Sequence, residues 1–297
     1  MKKISTYLSS LILSVFLVFL ITAASAILLV NINFSAVNLK KLADKNALET
    51  KIYSEIDKYY NDKYNTTGIP AEVYMDSIDT GYIRNFVEMY IDGAFDALNS
   101  GGTFNSVYPV NTELESSIDT FFNDFAEKNN YAKDDNFDLK LRNTKNNAYT
   151  VIGSYCDVYK FSAMSSKGIL HKLSKVYSNR YLVTAAVIGL TLFVILLLVL
   201  VNRKKKITAM YWCGISAIIS GITGIVPSIY LLTTRYFDSF SIKQAAVFTA
   251  FTSVMYKYTE AFMAVQIALI VLGIAMTVVY GIIGDKKKYP NTKPTKL

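Results

Sequence analysis

The chain has 297 residues, of which 52% are hydrophobic and only 18% charged, with a formal net charge of +8. That balance is too apolar for an ordinary soluble domain. The positive excess lies in short segments beside long apolar runs and not on a basic folded face, so no nucleic-acid partner is expected.

Lys2 and Lys3 precede a charge-free run, Tyr7–Val30. Ala24-Ser25-Ala26 has the A-x-A form of a signal-peptidase site, but apolar residues continue through Ile27–Val30. The run is longer than a 7–15-residue signal core and suits a membrane span, so an uncleaved signal anchor is expected. This gives a cytoplasmic N-terminus at residues 1–6 and a first span at 7–32.

Residues 33–180 show helical periodicity almost throughout. Leu42, Leu48, Ile52, Ile56, Tyr59 and Tyr60 mark a helix running out of the first span, stopped by Gly68 with Pro70 opening the next turn. Ile83, Phe86, Val87, Tyr90, Ile91, Ala94 and Leu98 form a second stripe. Thr112 and Glu115 match the capping-box spacing ahead of Leu114, Ile118, Phe121, Phe122 and Phe125. A last helix carries Ile152, Tyr155, Val158, Tyr159, Leu170, Leu173 and Tyr177 toward the second span. Asn99–Asn111 and Lys128–Asp138 read as loops. The expected product is a helical domain with its own core, its aromatic stripes packing inward and any exposed remainder free to dock a partner or an envelope polymer.

The second span, 181–202, holds 15 Leu, Ile, Val or Phe residues between Tyr181 and Val201, each favouring insertion by about 0.3–0.6 kcal/mol. Insertion stops at Arg203, Lys204, Lys205 and Lys206, since each cation would cost about 2.5–3.5 kcal/mol at mid-membrane. The third span, 207–233, carries a four-residue ladder of small side chains: Ser216, Ser220, Gly224 and Ser228. Such spacing lets another helix approach closely. Residues 234–260 form a loop in which Val247, Phe248, Phe251, Val254, Met255 and Tyr258 share a helical face, the pattern of an amphipathic surface helix. The fourth span, 261–283, repeats the small-residue device at Gly273, Thr277 and Gly281, and the second has Ala185 and Gly189. The tail, 284–297, adds Lys286, Lys287 and Lys288.

Charge sets the orientation. The N-terminus, the 203–206 linker and the tail carry 11 positive and 1 negative side chains, against 17 positive and 20 negative in residues 33–180. By the positive-inside rule both termini and the linker face the cytoplasm, and residues 33–180 and 234–260 face outward. The fold class expected is an all-α integral membrane protein of four transmembrane helices, with a helical extracytoplasmic domain between the first and second. The lipid bilayer is its first partner, and the small-residue seams serve either one compact bundle or a homo-oligomer.

Chemistry-bearing constellations are sparse. Cys156 and Cys213 fall on opposite sides of the expected membrane and cannot pair within one chain. With His171 the single histidine, no Cys/His metal site is available. Asp76 with Asp79, Asp92 with Asp96, and Asp134 with Asp135 are spaced as on any solvated helix face, so no catalytic, cofactor or metal site is expected. Within the spans no ionisable side chain reaches hydrocarbon depth; Glu260 and Gln266 stand at the outer entrance of the fourth.

One N-terminal span, a large outer domain and three further spans resemble the layout of the permease in the cell-division ABC transporter system. The likeness is one of topology without a shared motif, and this chain offers only Lys2-Lys3 and the 203–206 linker to a cytoplasmic ATPase. The leading expectation is a non-enzymatic cell-envelope protein of the plasma membrane, bacterial by its Lys-, Asn-, Tyr- and Ile-rich composition, whose outer domain binds an envelope protein partner or polymer. A transport-class function, as an ABC-type subunit or a small oligomeric channel, is the alternative.

Overall fold

A computed structural model describes residues 2–101, 104 and 108–288, with side chains from 6 to 283. The described residues form twelve α-helices: α1 (Lys2–Asn33), α2 (Ala36–Lys45), α3 (Leu48–Thr67), α4 (Glu72–Met75), α5 (Thr80–Ser100), α6 (Thr112–Lys128), α7 (Asp135–Cys156), α8 (Phe161–Ser166), α9 (Ile169–Ser178), α10 (Arg180–Val201), α11 (Ile207–Thr233) and α12 (Ala245–Lys288). No strand occurs among the described residues. Four stretches are long and apolar enough to cross a bilayer: Thr6–Asn33, Arg180–Val201, Ile207–Thr233 and Ala245–Ile283.

The chain divides into two compact units. An apolar unit comprises Met1–Phe34, Asn179–Ser239 and Met255–Leu297; an aromatic unit comprises Ser35–Ser178 and Phe240–Val254.

In the apolar unit α1 packs along both α10 and α11. Leu17, Val194, Leu198, Ala209 and Trp212 form its buried cluster. Trp212 meets the ring of Tyr7 edge-on at 5.5 Å and is buried among the helices. Helix α11 continues through Pro227.

In the aromatic unit α5 is the central helix, packed by α2, α3, α7 and α9, with Ile83, Phe86, Ile91 and Ala94 wholly excluded from solvent. Burying side chains of that size stabilises by about 1.5–3 kcal/mol each. Ion pairs brace its surface: Arg84 holds Glu49 at 2.9 Å and Asp44 at 3.3 Å, and Lys40 holds Asp92 at 2.6 Å.

Three features depart from the sequence reading. The helix expected to run out of the first span is broken twice. Ser35 starts a new helix by accepting the amide of Asn38, and Ala47 adopts a left-handed conformation at φ 47° between α2 and α3. Gly68, at φ 71°, ends α3. The last helix is likewise three, interrupted at Asp157, whose carboxylate accepts the amides of Phe161 at 2.7 Å and Ser162 at 3.0 Å, and at Gly168. Finally, α12 is one continuous helix where the sequence divides at residue 260; no Gly or Pro falls between Ala245 and Gly273 to interrupt it.

The cap of α6 also moves by one residue. Asn111, not Thr112, is the N-cap, its Oδ1 accepting the amides of Glu113 and Leu114 at 3.0 Å each. Its Nδ2 donates to the Ser77 carbonyl, and its own amide donates to the Tyr149 hydroxyl, so tertiary partners select Asn111. Glu115 instead accepts from that same hydroxyl at 3.0 Å.

Candidate functional site

Two places in the molecule gather polar side chains that are not accounted for by local capping: a seam inside the apolar unit and a groove in the aromatic unit.

The seam follows one face of α1. Ser10 accepts from Asn202 Nδ2 at 2.9 Å. The Ser14 and Ser216 hydroxyls lie 2.8 Å apart, those of Thr22 and Ser220 2.9 Å apart. Ser25 Oγ accepts from Gln266 Nε2 at 3.0 Å. Hydroxyl–hydroxyl and amide–hydroxyl bonds between apolar helices contribute about 0.6 kcal/mol on average, and chiefly fix which faces meet.

Small residues let the backbones close. A Cβ on Gly214 would stand 2.9 Å from the Gly273 carbonyl oxygen, and one on Gly273 would stand 2.6 Å from that of Gly214. Thr277 closes over the same crossing, with its methyl 3.0 Å from the Gly214 position. A Cβ on Gly224 would meet the Gln266 side chain at 2.7 Å. Ser228 donates to the Gly224 carbonyl within its own helix. Gly281 and Gly189 differ, for an added Cβ there meets nothing within 4 Å.

Gln266 is fully buried in the bundle, and its Oε1 has no hydrogen-bond partner among the described residues. The hydroxyls of α1, and Gly214 and Gly221 of α11, were not singled out from the sequence. Steps of four between Ser10 and Ser14, three between Thr22 and Ser25, and seven between Gly214 and Gly221 keep each set on one helix face, and are the signal the sequence offers.

The basic residues Arg203, Lys204 and Lys205 form a short exposed 3-10 turn, with Lys206 exposed before α11. Lys286, Lys287 and Lys288 end α12, their side chains outside the described residues, as is the tail beyond 288.

The groove has a volume of about 680 Å³, within the range of about 300–1,000 Å³ typical of small-molecule sites. Tyr74, Phe121, Phe122 and Phe125 supply an aromatic wall. Lys140, Asn143, Thr144 and Asn147 supply the other, all on one face of α7 at three- and four-residue steps, and the turn Thr67–Ile69 lies between. Phe125 keeps 53% of its surface exposed, against 6% for Tyr74, which stacks on Tyr60 at 4.0 Å. Burial pushes the Tyr74 hydroxyl up to about 12, so it stays protonated at neutral pH. Lys140 Nζ lies 5.5 Å from the centre of the Tyr131 ring. Asn143 and Asn147 are exposed, and neither side-chain amide is hydrogen-bonded among the described residues. A smaller cleft of about 310 Å³ includes Glu115, Lys145 and Tyr149, but these are already engaged: Lys145 pairs with Asp119 at 2.7 Å, and Tyr149 donates to Glu115.

The remaining polar candidates are dispersed. Asp79 and Asp134 cap α5 and α7, Asp92 pairs with Lys40, and Asp76, Asp96 and Asp135 are exposed. Cys156 is buried, and desolvation, then the neighbouring Asp157 charge, pushes its thiol up. His171 is exposed, with Nδ1 3.4 Å from the Gly101 carbonyl. Among the described residues no group of three or more His, Cys, Asp or Glu is placed to hold a metal ion.

Four membrane-compatible helices and an all-helical architecture define the class, a helical membrane protein. Compared with known protein families, curated proteins and solved structures, the chain matches none.

Proposed function

We propose that the chain is a non-enzymatic envelope protein of the plasma membrane, anchored by its four apolar helices, with both termini in the cytoplasm and the aromatic unit outside. Its function is to bind an envelope component through the groove between α6 and α7. The observation that carries this reading is the pairing of a half-exposed aromatic wall with two unengaged amides across one groove. Groups that fill no structural role on a stable scaffold are available to a ligand. A photoreactive residue in place of Phe125 should capture an envelope component in intact cells, and the same residue in place of exposed Lys58 should not. Equal capture at both positions, or none at either, contradicts the reading.

Gln266 favours a second reading, in the transport class, because a fully buried amide oxygen without a partner suits transient contact with a permeant. Substrate or ion flux in proteoliposomes that is abolished by Gln266→Leu would support it; protein-independent leak would remove it.

A further inference from the structure

The groove's two walls differ in chemistry, and together they specify a ligand class. Deepening the binding function proposed above, and resting on it, we infer that the groove takes a glycan chain bearing acetamido groups.

The amide wall comes first. Asn143 and Asn147 are one helical turn apart on α7, so their Cβ atoms are separated by about 5–6 Å. Successive sugars of a β-1,4-linked chain turn opposite edges to one wall, so the two asparagines meet a single acetamido group between them. Each asparagine side chain offers N–H donors and a carbonyl acceptor, and neither is used among the described residues. An acetamido substituent presents the complementary pair, one N–H and one carbonyl, together with a methyl group.

The facing wall suits the rest of such a ligand. Phe121 and Phe125 present ring surface on α6, which receives the acetamido methyl and the C–H face of a pyranose. None of the groove's lining side chains is acidic, and Lys140 adds an ammonium at the first turn of the amide face, so an appended carboxylate is accepted and a cationic ligand is not. A purely hydrocarbon ligand would strip water from both amides and return no hydrogen bond. A peptide is the closest competitor, since its backbone also carries N–H and carbonyl groups. Peptide grooves derive specificity from separate pockets for alternate side chains, whereas this site is a single open trough with one aromatic side.

The test uses the full chain in nanodiscs, with chitotetraose as probe and cellotetraose, the same backbone without acetamido groups, as control. Saturable chitotetraose binding is expected, at least tenfold tighter than cellotetraose. Asn143→Ala combined with Asn147→Ala should weaken it by at least tenfold, as should Phe125→Ala, with circular dichroism and melting unchanged, because all three side chains are exposed. Absence of saturable binding, or binding indifferent to these substitutions or to the acetamido group, overturns the inference. If chitotetraose fails while the photoreactive residue at position 125 captures a protein, the glycan is wrong and the docking function stands. If both fail, both fall.

Discussion

The two units obey the same rule for polar groups in opposite ways. In the aromatic unit the interior is ring and aliphatic surface, with Phe86, Ile52 and Ile83 wholly buried, while charges pair across the outside, as in Lys40 with Asp92. In the apolar unit the outside is hydrocarbon, with Leu192 60% and Leu182 70% exposed, while the hydroxyls and amides of Ser14, Ser216, Ser220 and Gln266 turn inward. Water drives the first arrangement, and a hydrocarbon surrounding explains the second. Stability should therefore respond to different substitutions in each.

The sharpest contrast lies in truncation of large apolar residues. Phe86→Ala, at a fully buried site, should cost about 3–5 kcal/mol, read as loss of the aromatic unit's unfolding transition in denaturant. Leu192→Ala should change stability in detergent by less than about 0.5 kcal/mol. Similar costs at both sites would break the comparison.

Added bulk reverses the ranking of positions within the apolar unit. Gly221→Leu drives a side chain against the Gln266 carbonyl, which a Cβ alone would approach to 2.8 Å. Overpacking of this kind costs about 1–3 kcal/mol. Gly281→Leu, facing open space, should be neutral in the same thermal-shift measurement.

The smallest effect concerns the polar seam. Ser216→Ala removes the hydroxyl that meets both the hydroxyl and the carbonyl of Ser14 and should lower stability by about 0.6 kcal/mol for each bond lost. A loss several times larger would mean that hydroxyls, not the apolar packing of Leu17 against Ala209 and Trp212, hold α1 against α11.

The legibility of these features follows from their range along the chain. Four charge-free runs of about 20 residues announce four apolar helices because insertion depends on local composition. Gly68 could be read as a stop because glycine adopts positive φ freely, whereas Ala47 and Lys160 take the same conformation without that advertisement. The cap at Asn111 was displaced by partners 34 and 38 residues away, Ser77 and Tyr149, that no local pattern reveals. The start of α12 was hidden in the same way, for Glu55 of α3 accepts the amides of Ala245 and Ala246. Asn143 and Asn147 resemble any solvated helix face until α6 brings Phe121 and Phe125 opposite them.

The central claim is that the aromatic unit lies outside and the basic turn inside, and impermeant maleimide labelling of intact cells tests it most directly. Cys156 is buried and silent, so Cys213→Ala provides the background. Asp124→Cys, at an exposed site, should label before lysis, and Lys204→Cys only after it. The opposite pattern, with Lys204→Cys labelled in intact cells and Asp124→Cys protected until lysis, would contradict the account.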